Sequence, residues 1–456
     1  MSLPKYTSYQ ASGVPWLGEM PAHWRLCRYK QVFDERDERS ERGHETLLSV
    51  SAYTGVSPRS EIIEEGDYLS RADSFEGYKV CYPDDLVMNI MLAWNRGLGF
   101  STRNGIVSPA YAVFVPRPGN DPRFLDYMVR SDRVNLYYKA FSSGVIDSRL
   151  RLYPDTFGSL YCVLPTLSEQ LSIAAFLDRE TAKIDALIAA QQRLTSLLVE
   201  KRQATIAHAV TRGLNPNVRM TDSGVAWLGE VPAHWKIVRL GALFREVQDS
   251  GWQGLPVLSV SIHDGVSDRE LDDSEMERKV TRSDDRSKYK EVRPGDLTYN
   301  MMRAWQGGLG TVNVHGMVSP AYVVARPIGD FDTSYVELLL RTQRAVSEMK
   351  RNSRGITDFR LRLYWDEFKV IQIAMPPQSE QLEISIFVCS ESAKVDALAA
   401  EAQRNIALLQ ERRTALIAAT VTGQLDVRNV SARSPGRTSH LKTIDVEKHT
   451  VNCGVT

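Results

Sequence analysis

The residues best suited to chemistry in this chain are carboxylates and histidines that occur twice. Residues 83–85 read Pro-Asp-Asp, the form of a metal-binding carboxylate cluster in a nuclease, but residues 294–296 read Pro-Gly-Asp and no suitable Glu-x-Lys follows. His23 and His234 each stand in a Pro-Ala-His-Trp segment, so the alternatives are a paired catalytic role and a hydrogen-bonded structural role. Their Trp- and Pro-rich surroundings favour the structural role. We therefore predict no catalytic residue and no metal site on this chain.

Two further repeated motifs are better explained as turns than as cofactor loops. GLG at 97–99 and GGLG at 307–310 do not complete GxGxxG, and the sequence contains no GKS or GKT. SPAY at 108–111 and 319–322 is similar to the SPPY-type motif of amino-methyltransferases, but the second proline is missing and no glycine-rich cofactor loop precedes it. No Ser/His/Asp or Cys/His spacing indicates a nucleophile. The pattern is that of a binding protein rather than of an enzyme.

Basic residues provide the better candidates for function. Residues 139–151 carry three basic residues against one acid, and residues 350–362 carry five against one. Such side chains suit DNA phosphates, and arginine also reads guanine edges, although a solvated connection between helix and strand is an equal alternative. A glycine-containing hairpin at 93–103, repeated at 304–313, is a second candidate surface, with Trp94 and Trp305 expected to pack rather than to stack on bases. The predicted DNA-binding residues are Arg96, Arg103, Lys139, Ser143, Arg149, Arg151, Arg303, Lys350, Arg351, Arg354, Arg360 and Arg362.

Composition sets the limits within which these residues act. The chain has 456 residues, 43% of them hydrophobic and 25% charged, and 56 basic residues balance 56 acidic ones. This size allows two to four domains, and zero net charge excludes a uniformly basic coat while permitting local basic surfaces. Five widely spaced cysteines without a CxxC pair favour neither a zinc site nor a disulfide framework. With no long apolar run and no apolar segment near the start, we expect a cytoplasmic protein.

The elements that position these residues are written twice. SGVPWLGEMPAHW from Ser12 and SGVAWLGEVPAHW from Ser223 share eleven of thirteen residues, and an offset of 211 residues recurs along the chain. It relates GIVSPAY to GMVSPAY, SRLRLYPDTF to FRLRLYWDEF, and AKIDAL to AKVDAL. The chain is therefore a tandem duplication of one large unit rather than a short-period repeat.

Each unit has a mixed first part and a helical second part. Short β-rich runs broken by Gly, Pro, Asn and Asp alternate with helical spacing at 122–141 and 334–351, which indicates an α+β globule. Residues 168–210 and 379–421 contain neither Pro nor Gly, with Ser168 and Ser379 at the expected N-cap positions. Apolar residues there recur in steps of three and four. The predicted packing residues are Ile184, Leu187, Leu194, Leu198, Val395, Leu398, Leu409 and Leu416.

These parts predict a pseudo-two-fold α+β architecture in which the two long helices pack as an antiparallel coiled-coil rod. A helix of 43 residues extends about 65 Å and needs a partner for its apolar stripe, which its own copy supplies. We divide the chain into a first globular domain at 1–165, a helix at 166–214, a second globular domain at 215–376, a helix at 377–425 and a loosely ordered tail at 426–456. Segments that differ strongly between the copies, such as 56–75 and 266–286, would give each globule its own specificity.

Taken together in their order, the motifs resemble the specificity (S) subunit of type I restriction–modification systems. The resemblance covers about residues 8–425 and rests on SGVxWLGExPAHW, AW..GLG, the SPAY segments, and LPTLSEQ and MPPQSEQ before helices with AKIDAL and AKVDAL. It implies that the globules are target-recognition domains, each reading one half of an asymmetric bipartite DNA site. The helices would set the spacing and dock two methyltransferase (M) subunits, with translocase–nuclease restriction (R) subunits completing the complex.

The same resemblance implies that the chain is not an enzyme and holds no cofactor. S-adenosylmethionine would bind the M subunit, and ATP and Mg²⁺ would serve the R subunit. The tail after Asp426 matches nothing that the family needs. The main alternative is a duplicated scaffold that binds only proteins, which zero net charge would suit; strongly salt-dependent binding to duplex DNA would distinguish the two. A catalytic DNA enzyme using SPAY or Asp85 and Asp296 would instead show activity from the isolated chain.

Overall fold

The computed structural model describes residues 4–52, 55–61, 74–146, 149–252, 254–272, 288–355 and 360–428. The chain divides into two compact units, one comprising Met1–Ala190 and the chain from Asn405 onwards, the other comprising Gln191–Arg404. Each unit thus contains one globule, part of the first long helix and part of the second. The division predicted along the chain has five consecutive segments, whereas compactness joins each globule to the helix ends that pack on it.

The globule of the first unit is built from short antiparallel strands and three helices. Its strands are β1 Tyr9–Ala11, β2 Glu19–Pro21, β3 Arg25–Arg28, β4 Phe33–Arg36, β5 Leu48–Ser51, β6 Gly55–Pro58, β7 Lys79–Cys81, β8 Leu86–Asn89, β9 Leu98–Phe100, β10 Gly105–Val107, β11 Tyr111–Pro116 and β12 Tyr161–Leu164. Its helices are α1 Pro122–Val129, α2 Asp132–Phe141 and α3 Pro154–Ser159, followed by the long helix α4 Leu167–Arg212.

The second unit repeats this order. Its strands are β13 Met220–Asp222, β14 Glu230–Pro232, β15 Lys236–Arg239, β16 Phe244–Val247, β17 Val260–Ser261, β18 Gly265–Val266, β19 Lys290–Val292, β20 Leu297–Asn300, β21 Leu309–Thr311, β22 Gly316–Val318, β23 Tyr322–Pro327 and β24 Gln372–Met375. Its helices are α5 Leu240–Leu243, α6 Thr333–Leu340, α7 Gln343–Asn352 and α8 Trp365–Phe368, before the second long helix α9 Gln378–Val421. The predicted α+β duplication is confirmed.

A four-stranded antiparallel sheet organises each globule, in the order β4-β11-β8-β9 and β16-β23-β20-β21. Alternate side chains of a strand face opposite sides of a sheet. Leu86 and Met88 of β8 accordingly join the main core, and Val87 joins a smaller cluster with the hairpin β5–β6. In the second unit Leu297 faces the main core and Val324 the smaller cluster. Because both faces are covered, all four residues of β8 are buried.

The long helices begin one residue earlier than predicted, and serine does not cap them. Ser168 lies inside the first turn of α4, where the N–H of Glu169 donates to the carbonyl and hydroxyl oxygens of Thr166, 3.0 and 3.4 Å away. Ser379 lies inside the first turn of α9 in the same way. The N-cap prediction is wrong because a Ser-Glu-Gln sequence at a helix start serves another purpose in this fold, described below.

Each unit contains an antiparallel pair formed by parts of α4 and α9. In the first unit Asp185 pairs with Arg413 at 2.9 Å, and Glu169 lies 4.0 Å from Arg428 just beyond α9. In the second unit Arg202 of α4 pairs with Asp396 of α9 at 3.2 Å. Position numbers rise along one helix as they fall along the other, which is the pairing predicted from the duplication.

The packed stripe of these helices differs from the predicted one at three of its eight residues. Ile184, Leu198 and Val395 are buried, and Leu409 and Leu416 are half-buried. Leu187, Leu194 and Leu398 were also predicted to pack, but their exposed fractions are 52%, 44% and 55%. The less exposed residues at those steps lie one position later, at Ile188, Thr195 and Ala399. A stripe that advances by three residues and then four has the same average period as one that advances by four and then three, so spacing alone does not distinguish them. The prediction followed the leucines and therefore chose the wrong one.

The chain returns to the first globule after α9. Val427 is fully buried and the Asp426 N–H donates to the Pro4 carbonyl at 2.8 Å. The prediction of a loosely ordered tail from residue 426 is therefore wrong for 426–428, while 429–456 lie outside the described residues. Within the described part of the chain, no helix combines the length and the apolar character that crossing a membrane requires.

Candidate nucleic-acid interface

A one-turn 3-10 helix carrying a tryptophan lies between β8 and β9 of the first globule. This turn, Ala93–Asn95, is fixed from inside because the Trp94 indole N–H donates to the Met91 carbonyl at 3.0 Å. Helix α2 packs beside it and places the Lys139 ammonium 5.1 Å from the centre of the Trp94 ring. Because the indole N–H is bonded within the turn, the Trp94 ring is held in place. Lys139 lies over the face of this ring, which is a cation–π arrangement.

The second globule repeats this arrangement. The turn Ala304–Gln306 holds Trp305, whose indole N–H donates to the Met302 carbonyl at 2.9 Å. The Lys350 ammonium of α7 lies 5.2 Å from the centre of that ring. The hairpin and the basic stretch, which the sequence suggested as two separate surfaces, therefore form one surface in each globule. We call this surface, built on Lys139–Trp94 or Lys350–Trp305, the lysine–tryptophan site.

A short basic loop follows each lysine. Backbone hydrogen bonds of 2.8 and 2.9 Å join Ser143 to Arg151, and two of 2.9 Å join Arg354 to Arg362. The glycine at each loop start is required, because a Cβ on Gly144 would lie 2.6 Å from the Arg149 carbonyl oxygen. The loop tips at 147–148 and 356–359 lie outside the described residues. The loop bases hold the predicted arginines beside the lysine–tryptophan site.

Within the described parts of the globules, four of the predicted cations pair with a carboxylate. Arg96 pairs with Asp132 and Arg103 with Glu61 in the first globule; Arg351 pairs with Glu348 and Arg354 with Glu367 in the second. The side chain of Arg96 is half-exposed and those of Arg103, Arg351 and Arg354 are exposed, whereas the carboxylates of Glu348 and Glu367 are largely buried. The exposed pairs Arg96–Asp132 and Arg103–Glu61 contribute only about 0–1 kcal/mol, so a phosphate can replace their carboxylates at small cost. Release of Arg351 or Arg354 would cost more, because it leaves a largely buried carboxylate without its cation. Their geometry is compatible with DNA contact but does not test it.

The remaining predicted residues lie on the same surfaces with varied exposure. Arg149 and Arg360 are exposed, as is Ser143. Arg151, Arg303 and Arg362 are half-buried, and the Arg151 guanidinium donates to the Leu150 carbonyl at 2.9 Å. Their role in DNA binding stays a prediction.

Comparison of the two surfaces separates shared from unshared cations. At the 211-residue offset Lys139 corresponds to Lys350, Arg149 to Arg360 and Arg151 to Arg362. The others have no basic counterpart: Arg96 corresponds to Gly307, Arg103 to Val314, Arg303 to Leu92, Arg351 to Ala140 and Arg354 to Ser143. Each surface thus combines a common basic set with cations of its own.

The repeated histidines and the Ser-Glu-Gln motifs join each globule to its long helix. Glu169 in the first turn of α4 accepts hydrogen bonds from the Trp24 indole at 3.1 Å and the Tyr6 hydroxyl at 2.7 Å, and lies 3.0 Å from His23. The next residue, Gln170, accepts the Asp121 N–H at 2.9 Å and donates to the Pro165 carbonyl at 3.0 Å. We call this set of contacts the helix clasp. It agrees with the structural role expected for His23.

The second globule has the equivalent clasp on α9. Glu380 accepts the Trp235 indole N–H at 3.1 Å and lies 2.8 Å from His234. Gln381 accepts the Asp332 N–H at 2.9 Å and donates to the Pro376 carbonyl at 2.8 Å. Sequence reasoning assigned the motif to capping and missed these long-range partners, although the joint repetition of PAHW and SEQ was the signal that connected them.

The aspartates considered as nuclease ligands are satisfied by arginine. Both carboxylate oxygens of buried Asp85 accept from Arg36, at 2.9 and 3.2 Å, and those of Asp296 accept from Arg326 at 3.0 Å each. These hydrogen bonds raise the pKa of both guanidinium groups. Among the described residues, no cluster of three His, Cys, Asp or Glu side chains has metal-binding geometry.

The remaining motifs form turns. SPAY closes a turn in which the Tyr111 N–H donates to the Ser108 carbonyl at 2.9 Å, and β11 starts at Tyr111. The glycine of GLG at 97 is dictated by crowding, because its Cβ would lie 2.5 Å from that of Leu92. Neither motif forms a cofactor loop here.

Comparison with known proteins identifies the fold. No protein-family model matches the chain, and no curated protein matches its sequence. Among solved structures, a chain from work on complex assembly and conformational transition of the type I restriction–modification system is 16% identical, with a TM-score of 0.62, over 89% of this chain and 99% of that one. The HsdS subunit from Thermoanaerobacter tengcongensis is 18% identical, with a TM-score of 0.53, over 89% of this chain and 98% of that one.

These likenesses extend over nearly the whole of both matched chains. Together with the order of elements, they define a class of protein: a duplicated α+β protein in which each copy ends in a long helix. The chain has the fold of the type I restriction–modification S subunits, and the resemblance found in its sequence is confirmed at the level of the fold.

Proposed function

We propose that this chain is the DNA-recognition subunit of a type I restriction–modification complex in the cytoplasm, without catalytic activity of its own. The observation that carries the proposal is that both globules present the same lysine–tryptophan site beside a basic loop. If the two globules served only to pack, nothing would favour the presence of a lysine–tryptophan site and a basic loop in both. The S-subunit fold supports the same reading.

Shared and unshared cations suggest a division of labour in reading DNA. The shared set, Lys139 with Arg149 and Arg151 and its copy in the second globule, suits phosphates, which are the same at every position. Unshared arginines such as Arg96 and Arg303 suit base edges, where a bidentate contact contributes about 1–3 kcal/mol of discrimination. Because the two unshared sets differ, each globule would read a different half-site and the target would be asymmetric.

The long helices would then set the distance between the half-sites and bind the methyltransferase subunits. Helices α4 and α9 have 46 and 44 residues, enough for about 65–70 Å at 1.5 Å per residue. Half-sites read from one face of DNA lie about 34 Å apart or a multiple of it. Leu187 in the first unit, and Leu194 and Leu398 in the second, point away from the helix pairs and provide apolar contacts for M subunits.

The catalytic groups would be supplied by the partners. S-adenosylmethionine would bind the M subunits, and ATP and Mg²⁺ would bind the R subunits. The solved structure with the higher TM-score belongs to work on assembly of such a system, which supports partners of this kind for the present chain.

Methylome sequencing tests the proposal most directly. Cells that express this chain with its neighbouring methyltransferase, compared with cells lacking the chain, should show an asymmetric bipartite methylated motif that disappears with the deletion. In vitro, Arg354→Ala and Arg360→Ala should weaken binding of the assembled complex to its duplex while circular dichroism stays unchanged. No chain-dependent motif in cells where the complex assembles, together with salt-independent DNA binding, would favour the protein-only scaffold.

A further inference from the structure

Two cysteines of the first globule lie side by side in its core. Cys27 on β3 and Cys162 on β12 stand directly opposite each other in an antiparallel ladder, and their sulfur atoms are 3.6 Å apart. Both side chains are buried. The other described cysteines, Cys81 and Cys389, have no such neighbour among the described cysteines. The pair is therefore a specific local arrangement rather than a consequence of high cysteine content.

The Cα spacing of this pair falls within the range that disulfides span. The Tyr29 N–H donates to the Leu160 carbonyl at 3.0 Å, one hydrogen-bonded pair further along the same ladder. Antiparallel pairs alternate, so Cys27 and Cys162 form a hydrogen-bonded pair with Cα atoms about 5.5 Å apart. Disulfides span Cα distances of about 4.4–6.8 Å. The Cβ atoms of a hydrogen-bonded pair lie about 5.5 Å apart, whereas a disulfide needs about 3.5–4.5 Å. Bond formation therefore requires rotation of both side chains and an approach of the two strands by about 1 Å.

The second globule has no thiols at this place. The corresponding ladder pairs Val238 on β15 directly with Ile373 on β24. Both positions have therefore changed together between the copies, and the alternative pair shows that a purely apolar core is compatible with the same strands. Two cysteines are not needed for packing here, which leaves their chemistry as the distinguishing property.

The environment makes the two sulfurs unequal. The hydrogen bond between the thiols lowers the pKa of Cys27, burial opposes this shift, and nearby Arg25 adds to the lowering. Burial raises the pKa of Cys162. The thiolate is the nucleophilic form, and Cys27 also keeps some solvent exposure, 4%, whereas Cys162 has none. Cys27 is therefore the sulfur that an oxidant reaches first, and Cys162 is the one that resolves.

We propose that Cys27 and Cys162 are a reversible disulfide site of the folded first globule, with hydrogen peroxide as the oxidant. The Cys27 thiolate attacks one peroxide oxygen, the O–O bond breaks, and hydroxide leaves as the sulfenic acid forms. The Cys162 sulfur then attacks the sulfenic sulfur; its proton and the departing hydroxyl leave as water. Two thiols are oxidised by two electrons and one peroxide is reduced to two waters. A thiol reductant reverses the reaction.

The disulfide would link β3, near the start of the first globule in sequence, to β12, the last strand before α4. The bridged residues are 135 positions apart, and β12 leads within a few residues to Glu169 and the helix clasp. Closing so long a loop restricts the unfolded chain strongly. Oxidation should therefore raise the denaturation midpoint of the first unit and leave that of the second unchanged.

Peptide mapping of the full-length chain tests the site. Native protein is treated with hydrogen peroxide, free thiols are alkylated after unfolding, and tryptic peptides are analysed without reduction. We expect residues 26–28 linked to residues 152–179, and loss of that link after dithiothreitol. The matched control is Cys27→Val with Cys162→Ile, which installs the pair that the second globule already packs; it should fold, form no link and show no oxidation-dependent midpoint.

Two results would overturn the proposal. One is recovery of both cysteines as alkylated thiols under conditions that fully oxidise exposed Cys389. The other is Cys27 carried to sulfinic acid while Cys162 stays free, because the second sulfur would then not resolve the first. Circular dichroism before and after treatment ensures that the reacting protein is folded. Neither result bears on DNA recognition, since neither cysteine is among the predicted contact residues.

Discussion

Removing the carboxylate of the helix clasp should destabilise the first unit more than the second. Glu169→Met and Glu380→Met keep side-chain length and helix propensity but remove the acceptor. The Glu169 carboxylate is 4% exposed and that of Glu380 is 23% exposed. In the first unit two buried donors, the Trp24 indole and the Tyr6 hydroxyl, lose their acceptor. In the second unit only the Trp235 indole is buried among the donors.

The expected costs follow from these donors. A hydrogen bond to a charged group contributes about 1.5–3 kcal/mol net, so two lost bonds cost about 3–6 kcal/mol and one costs about 1.5–3 kcal/mol. His23 and His234 are exposed enough to turn to water and add little. The difference between the two variants should therefore be about 1.5–3 kcal/mol.

Hydrogen exchange in increasing urea, resolved by peptide, measures the unfolding free energy of each unit in one experiment. Glu169→Met should lower protection in the first unit, and Glu380→Met should do so more weakly in the second. Tyr6→Phe in the Glu169→Met background should cost almost nothing, because its acceptor is already gone. Equal costs for the two variants, or a full cost for Tyr6→Phe in that background, would refute the account of the clasp.

Three further predictions concern DNA binding, target spacing and pH. Lys139→Gln and Lys350→Gln should each lower the slope of log affinity against log salt by about 0.9 without changing base preference, measured by fluorescence anisotropy on the assembled complex; altered preference would contradict a phosphate contact. One heptad inserted after Gln191 should change the spacing of the methylated motif and preserve its half-sites, and unchanged spacing would contradict the helices as a ruler. The hydrogen bond from Arg428 lowers the pKa of Asp426, so its stabilisation is present above the unfolded pKa of about 3.9 and is lost as pH falls through the lower folded pKa. The urea-measured cost of Asp426→Asn should therefore be constant from about pH 5 to 8 and shrink below about pH 4; a cost that persists at low pH would contradict this linkage.

The duplication and the fold class were predictable because they depend on long-range identity and regular spacing. A run of about 43 residues without Gly or Pro is a strong helix pattern, and α4 and α9 follow it within two residues at each end. The packed face was not predictable in the same way. Thr195 and Ala399 have weak apolar character, yet they lie on the less exposed stripe, while neighbouring leucines face outward.

The candidate site was predictable in its parts but not in its assembly. Both the tryptophan hairpin and the basic stretch were found from sequence, about forty residues apart. Their meeting depends on α2 packing against the turn, where the Asn135 side chain accepts the Arg96 N–H at 3.1 Å and Lys139 reaches Trp94. No local pattern encodes such a contact, since it depends on tertiary packing.

The buried aspartates show that a residue shared by the two copies has one explanation in the core of a globule and another on its surface. Asp85 receives its arginine from β4 and Asp296 receives Arg326 from the neighbouring strand β23. The positions equivalent to the two arginines, Val115 and Val247, are apolar. A buried carboxylate needs a neighbouring cation, but that cation can come from either of two strands. Lys350 is exposed, and its contact with the Trp305 indole contributes about 0.5–1 kcal/mol. Lys139 lies over Trp94 in the same way, and both lysines stand beside a basic loop. Because phosphates are the same at every position, a cation repeated in both globules suits them, and both lysines should contact the invariant part of DNA.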